Sequence, residues 1–189
     1  MLRRSLKELV DILWAFLEEN EGGIQEAAKR IIEAFKAGGK LLICGNGGSA
    51  ADAQHMAAEF INRFLLERRP LPAIALNTDP SVLTSIGNDY SFDQVFEKQI
   101  RALGKEDDLL IVISTSGKSK NCIRAALTAK EMGIFSIGLL GRDGGDLGAL
   151  VDLGLIVRNR STPRIQEVHA FIIHMICEMV ERELFGGDA

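Results

Sequence analysis

Short apolar runs alternate with longer segments of helical period along this chain of 189 residues. Leu41-Leu42-Ile43-Cys44, Ala73-Ile74-Ala75-Leu76, Leu109 to Ile113, Ile134 to Leu140 and Leu153 to Val157 read as five strands. The run from Leu109 to Ile113 is continuous and branched, as suits a strand buried on both faces. Five such strands separated by helices predict a parallel sheet covered on both sides, an α/β three-layer sandwich. Ahead of the sheet, Leu6, Leu9, Val10, Leu13, Phe16 and Leu17 form one helical stripe. Gly22-Gly23 interrupts it, and Ile24, Ala27, Ala28, Ile31, Ile32 and Phe35 resume it, which predicts two N-terminal helices whose plain role is to cover the core, an added oligomer contact being the sharper alternative. Asn77-Thr78-Asp79-Pro80 caps a further helix, and Pro163 opens a long final one through Phe185. One domain over 1–189 follows: N-terminal helices over 1–37, an α/β core over 38–160 and a C-terminal helix over 161–189.

Polar turns after the strands carry the candidate chemistry. Gly45-Asn46-Gly47-Gly48-Ser49 joins the first strand to a helix, where glycines let backbone approach a ligand and helix N–H groups face it. Within that helix His55 and Glu59 lie one turn apart on one face, a pair suited to a proton task or a metal. Ser114-Thr115-Ser116-Gly117-Lys118-Ser119 sets four hydroxyls ahead of another helix start, which reads either as a phosphate site or as a Ser/Thr-rich turn with an N-cap. It is not a Walker A loop, and the first turn lacks the GxGxxG spacing of a dinucleotide fold. On the final helix, Gln166 and His169 are about 60° apart around the axis, whereas Gln166 and His174 differ by about 80° and roughly 12 Å along it. Spacing alone favours His169 as the partner of Gln166.

Composition narrows the class. With 47% hydrophobic and 25% charged residues the chain can bury a sizeable core. A net charge of −4, pI near 5.5 and no extended Lys/Arg block argue against a nucleic-acid footprint and for a small ligand. Cys44, Cys122 and Cys177 are scattered in apolar or helical pattern, as reduced core thiols of a cytoplasmic protein would be. No apolar run reaches the roughly 18 residues of a membrane span, and the N-terminus lacks a signal peptide's core.

CGNGGSAADAQHMAAEF, ALNTDPSVLTSIGNDYSF, ISTSGKS, GLLGRDGGDLG and RIQEVHAFIIH, in this order, resemble the sedoheptulose 7-phosphate (phosphoheptose) isomerases of the sugar isomerase, or SIS, superfamily. The resemblance runs over essentially the whole chain. It implies a flavodoxin-like sandwich, a homotetramer with sites between subunits, and an aldose-ketose isomerase making D-glycero-D-manno-heptose 7-phosphate for heptose and lipopolysaccharide precursors. Carried over by position, it assigns Ser114, Thr115, Ser116 and Ser119 to the phosphate, and Asn46, Gly47, Gly48, Ser49, Asn88 and Asp89 to the sugar. His55, Glu59, Gln166 and His174 match the family's zinc positions, with Glu59 and Gln166 also facing substrate. Here the resemblance selects His174 over His169. Glu59 is then the expected base and His174 the expected acid of an enediol mechanism. Because zinc bonds are only about 2 Å long, the axial gap between Gln166 and His174 implies a site drawn from more than one subunit. Lys118 stands where the family commonly has Asn, and it either adds charge to the phosphate loop or points to solvent. INRFLLERRPLPAIALNTD and KQIRALG also resemble a non-catalytic superfamily member that associates with a replication initiator. That relative lacks the carboxylate and histidine matching Glu59 and His174.

Overall fold

A computed structural model describes residues 1–187, so the last two positions of the expected 161–189 segment lie outside the described residues. The strands are β1 (Leu41–Gly45), β2 (Ala73–Ala75), β3 (Leu109–Ser114), β4 (Phe135–Gly141) and β5 (Leu153–Val157). They form one sheet in the order β2-β1-β3-β4-β5, with every pair parallel. The helices are α1 (Leu2–Lys36), α2 (Gly48–Ile61), α3 (Pro80–Asp89), α4 (Val95–Leu103), α5 (Lys120–Glu131) and α6 (Thr162–Phe185), with short 3-10 turns at Phe92–Gln94 and Asp146–Ala149.

The two-residue period of the strands divides the core. Leu41, Ile43, Leu109, Ile111 and Ile113 face a layer made by α1, α2 and α6, and Leu42, Cys44, Leu110 and Val112 face α4 and α5. Both sides are therefore apolar, which is why β1 and β3 are buried at every position. Asp79 caps α3 as expected, accepting from the N–H groups of Ser81 and Val82 at 2.9 and 3.0 Å, with Pro80 in the first turn. All three cysteines are free and buried.

One expectation fails. Gly22-Gly23 does not end a helix, and α1 runs unbroken for 35 residues. Each glycine costs a helix about 1 kcal/mol relative to Ala, but burial of Phe16, Ile24, Ala27, Ala28, Ile31 and Phe35 spans both sides of the pair. Gly23 also has a packing role, since a Cβ there would press on the Leu155 side chain of β5.

From β1 the chain steps outward to β2, and it re-enters at β3 on the other side of β1. The turns after β1 and β3 therefore diverge, leaving a crevice beyond the strands' carboxyl ends where an open parallel sheet receives ligands.

Candidate active site

Two glycine turns face that crevice. Gly47 at φ +56° and Gly117 at φ +64° occupy the left-handed region that side chains avoid. The turns are pinned to each other by a reciprocal amide pair: Asn46 Nδ2 donates to Asn121 Oδ1 at 2.9 Å, and Asn121 Nδ2 donates to Asn46 Oδ1 at 2.8 Å. Asn121 Oδ1 also accepts the Cys122 N–H, so α5 starts at a fixed place relative to β1.

Ser114, Thr115, Ser116 and Ser119 surround the start of α5. Ser114 Oγ accepts the Gly117 N–H at 3.1 Å and Ser116 Oγ accepts the Lys118 N–H at 3.2 Å, which shapes the loop. Ser119 stands at the N-cap but makes no side-chain cap bond. An ordinary N-cap serine would satisfy an orphan N–H of the first turn. Here the Cys122 N–H is taken by Asn121 Oδ1, and the N–H groups of Lys120 and Asn121 are left for an anion, with the positive end of a 12-residue helix behind them. Beside the loop, Lys118 is exposed and lines a cavity of about 610 Å³ with Arg142, Asp143, Arg158, Asn159 and Arg160.

The second half of the site lies between α2 and α6. Their contacts advance in step, so the helices run in the same direction. The Gln166 amide lies where a Cβ on Gly48 would stand, His174 meets His55 about two turns further on, and Glu181 meets the chain just beyond α2. His55 Nε2 is 3.1 Å from Glu59 Oε1 and 3.4 Å from His174 Nε2. The Phe64 ring lies 5.6 Å from the His174 ring. Two ring nitrogens turned toward one another need a proton or a cation between them, since two lone pairs repel.

Those spacings fit a metal in part. Tetrahedral zinc with bonds of about 2.1 Å holds its ligand atoms about 3.4 Å apart, close to both separations. Yet among the described residues no three His, Cys, Asp or Glu side chains already enclose one point. Gln166 does not join the cluster within this chain; at Gly48 it stands roughly 10 Å up the helix pair from His55. His169, the partner that spacing favours, is fully buried on another face of α6, where its Nε2 bonds the Leu140 carbonyl at 3.2 Å. Burial, opposed by that bond, pushes its imidazole down to about 4.

Other expected residues sit apart. Gly47 and Gly48 are exposed at the mouth of the turn, while Ser49 is buried beneath it. Asn88 and Asp89 are exposed at the end of α3, where Asn88 Nδ2 donates to Asp89 Oδ1. Two polar residues escaped the sequence reading. Asp52 shares the α2 face of Gly48, His55 and Glu59, its Oδ2 is buried without a partner, and burial raises its carboxyl against the pull of His55. Asn77 donates to the Gly45 carbonyl at 2.6 Å while its own Oδ1 is left unpartnered. The four- and three-residue spacing of Gly48, Asp52, His55 and Glu59 was the available signal for Asp52.

A 2-1-3-4-5 sheet with an uncapped helix start at its crevice, and a cluster of His55, Glu59 and His174 about two turns down the α2–α6 pair, accompanies a match of the SIS domain model to residues 6–141, which makes this an SIS-class protein. Curated phosphoheptose isomerases are similar along most of their length. That of Clostridium acetobutylicum is 56% identical over 163 residues, covering 86% of this chain and 83% of the relative. That of Citrifermentans bemidjiense is 51% identical over 184 residues, covering 97% and 96%. The solved phosphoheptose isomerase of Neisseria gonorrhoeae superposes with a TM-score of 0.90 at 43% identity, covering 95% of this chain and 96% of that one. The chain belongs to the phosphoheptose isomerase family.

Proposed function

We propose that the protein is an aldose-ketose isomerase that converts D-sedoheptulose 7-phosphate to D-glycero-D-manno-heptose 7-phosphate. The observation that carries this reading is the meeting of Glu59, His55 and His174 from two helices, in a chain whose Ser/Thr-rich loop leaves the start of α5 without a side-chain cap from Ser119. The reaction moves hydrogen between C1 and C2. Glu59 takes the C1 proton as the C2 carbonyl oxygen gains one from His174, giving an enediol. Return of a proton to C2 and loss of the O1 proton complete the aldose. Ser114, Thr115, Ser116 and Ser119 hold the phosphate, so that the sugar's reacting end reaches toward α2 and α6.

Zinc suits His55, Glu59 and His174, with the fourth donor supplied by Gln166 of a neighbouring copy. A divalent ion held there would polarise substrate oxygens and steady negative charge as the proton leaves C1. A homotetramer is supported by the exposed apolar stripe Leu2, Leu6, Val10 and Trp14, which nothing among the described residues covers. Among the described residues, no helix is long and apolar enough to cross a membrane. Three buried reduced thiols suit a cytoplasmic setting, and the product suits precursors of heptose-bearing surface glycans.

Incubation of purified protein with sedoheptulose 7-phosphate, with and without a chelator, tests the reading. Product formation that the chelator abolishes and zinc restores is expected. No turnover in zinc-loaded protein would leave the non-catalytic initiator-associating reading in its place.

A further inference from the structure

We infer that Arg68 and Glu181 form a buried clamp that sets the height of α2 against α6, and so positions Glu59 and Phe64 relative to His174. The inference rests on the isomerase reading of those residues. Both clamp side chains are almost wholly hidden, at 1% and 2% exposure, and Arg68 Nε donates to Glu181 Oε1 at 2.9 Å. What each does with its remaining atoms is the telling feature.

Arg68 closes the end of α2. Its Nη2 donates to the carbonyl of Glu59 itself at 2.7 Å, and its Nη1 donates to the carbonyls of Phe60 at 2.7 Å and Asn62 at 3.2 Å. The last carbonyls of a helix have no partners of their own and carry its negative end, so a guanidinium there satisfies both needs. Glu181, two turns beyond His174 on α6, gathers the connector that follows α2. Its carboxylate accepts the N–H groups of Phe64, Leu65 and Leu66 at 2.8, 2.6 and 2.8 Å. Burial alone would raise that carboxyl, but these three donors and Arg68 outweigh it and hold it below its ordinary value. Through the Phe64 N–H, the same carboxylate fixes the residue whose ring packs against His174.

Stability alone does not explain such a pair, because well-packed apolar side chains of similar volume commonly replace a buried ion pair without loss. A hydrogen-bonded pair instead specifies one register, which apolar packing leaves loose. Proton transfer needs that register, since a 1 Å misplacement costs about 100-fold in rate. Arg68 and Glu181 touch neither substrate nor the reacting atoms in this reading. They are positioning residues.

The test compares wild type with R68M/E181M and with E181Q. In R68M/E181M the fold persists, by circular dichroism and thermal melting. The KM for the sugar phosphate stays within about threefold because the phosphate loop is remote, and kcat falls at least tenfold. In E181Q, kcat falls with KM likewise retained, and R68K recovers only part of the wild-type rate. A second readout needs no turnover: the ring-current shift that Phe64 imposes on the His174 imidazole in NMR spectra is expected in wild type and diminished in both Glu181 variants. Wild-type activity and an unchanged His174 signal in a folded R68M/E181M protein would overturn the clamp. So would collapse of the fold in both Glu181 variants, which would make the pair a general support of the molecule. If wild type shows the ring-current shift and the variants lose it, but no isomerisation is seen, the isomerase reading fails and the clamp geometry stands.

Discussion

Glu59 is the residue whose chemistry is hardest to replace. Glu59→Gln keeps the shape and the contact with His55 but removes the proposed base, so kcat is expected to fall by about 10² to 10⁴ with folding and substrate binding retained. Steady-state kinetics and a binding titration check this together. His169 carries a different signature, one of stability. Its imidazole is neutral in the fold down to about pH 4, whereas an unfolded histidine takes a proton near 6.5. Between those values the unfolded chain binds the extra proton, so stability is complete above about pH 6.5 and declines as pH falls toward 4. The full shift corresponds to about 3 kcal/mol. Denaturant melts across that window should show this slope, and His169→Gln should flatten it. Cys177, buried and with its thiol pushed well up, is expected to stay inert toward thiol reagents in the native state.

At the scale of elements, the closeness of α2 to α6 depends on Gly48, where a Cβ would collide with the Gln166 amide. Gly48→Ala should leave melting temperature unchanged or higher, since alanine favours helix. It should also raise the KM for the sugar phosphate about tenfold by displacing Gln166, equivalent to about 1.4 kcal/mol of binding. Coincident thermal melts and kinetics separate these effects. The strands were legible because both faces are buried and their apolar runs are unbroken, and the α3 cap because Asp79 and Pro80 act within one turn. Gly22-Gly23 misled because local propensity favours a break there, while the packing that overrides it comes from β5, more than a hundred residues away. The pairing of His55 and Glu59 followed from helix geometry alone. Nothing in periodicity could bring His174 to them: that required knowing that α6 lies along α2, and only the resemblance supplied it.

For the whole molecule, the apolar stripe at the start of α1 and the separation of Gln166 from the histidines point to assembly. Substituting Leu6 and Trp14 together by Glu is expected to shift sedimentation toward smaller species and to lower activity, while leaving circular dichroism unchanged. Mixing Glu59→Ala with Gln166→Ala protein should restore some turnover, because one parent keeps the trio and the other donates the amide. Mixing Glu59→Ala with His174→Ala should restore none, since both residues serve one chain's cluster. Failure of the first mixture, with both parents assembled, would confine each site to a single chain. The tie between α2 and α6 has a further effect during synthesis. His174 lies on α6, which follows all five strands, so the ribosome finishes the sheet before the helix that carries the proposed proton donor emerges. A message truncated before codon 174 yields a nascent chain that holds the 114–119 loop and Glu59 but lacks the proposed proton donor. On the proposed roles, turnover by this protein therefore reports a chain extended past residue 174.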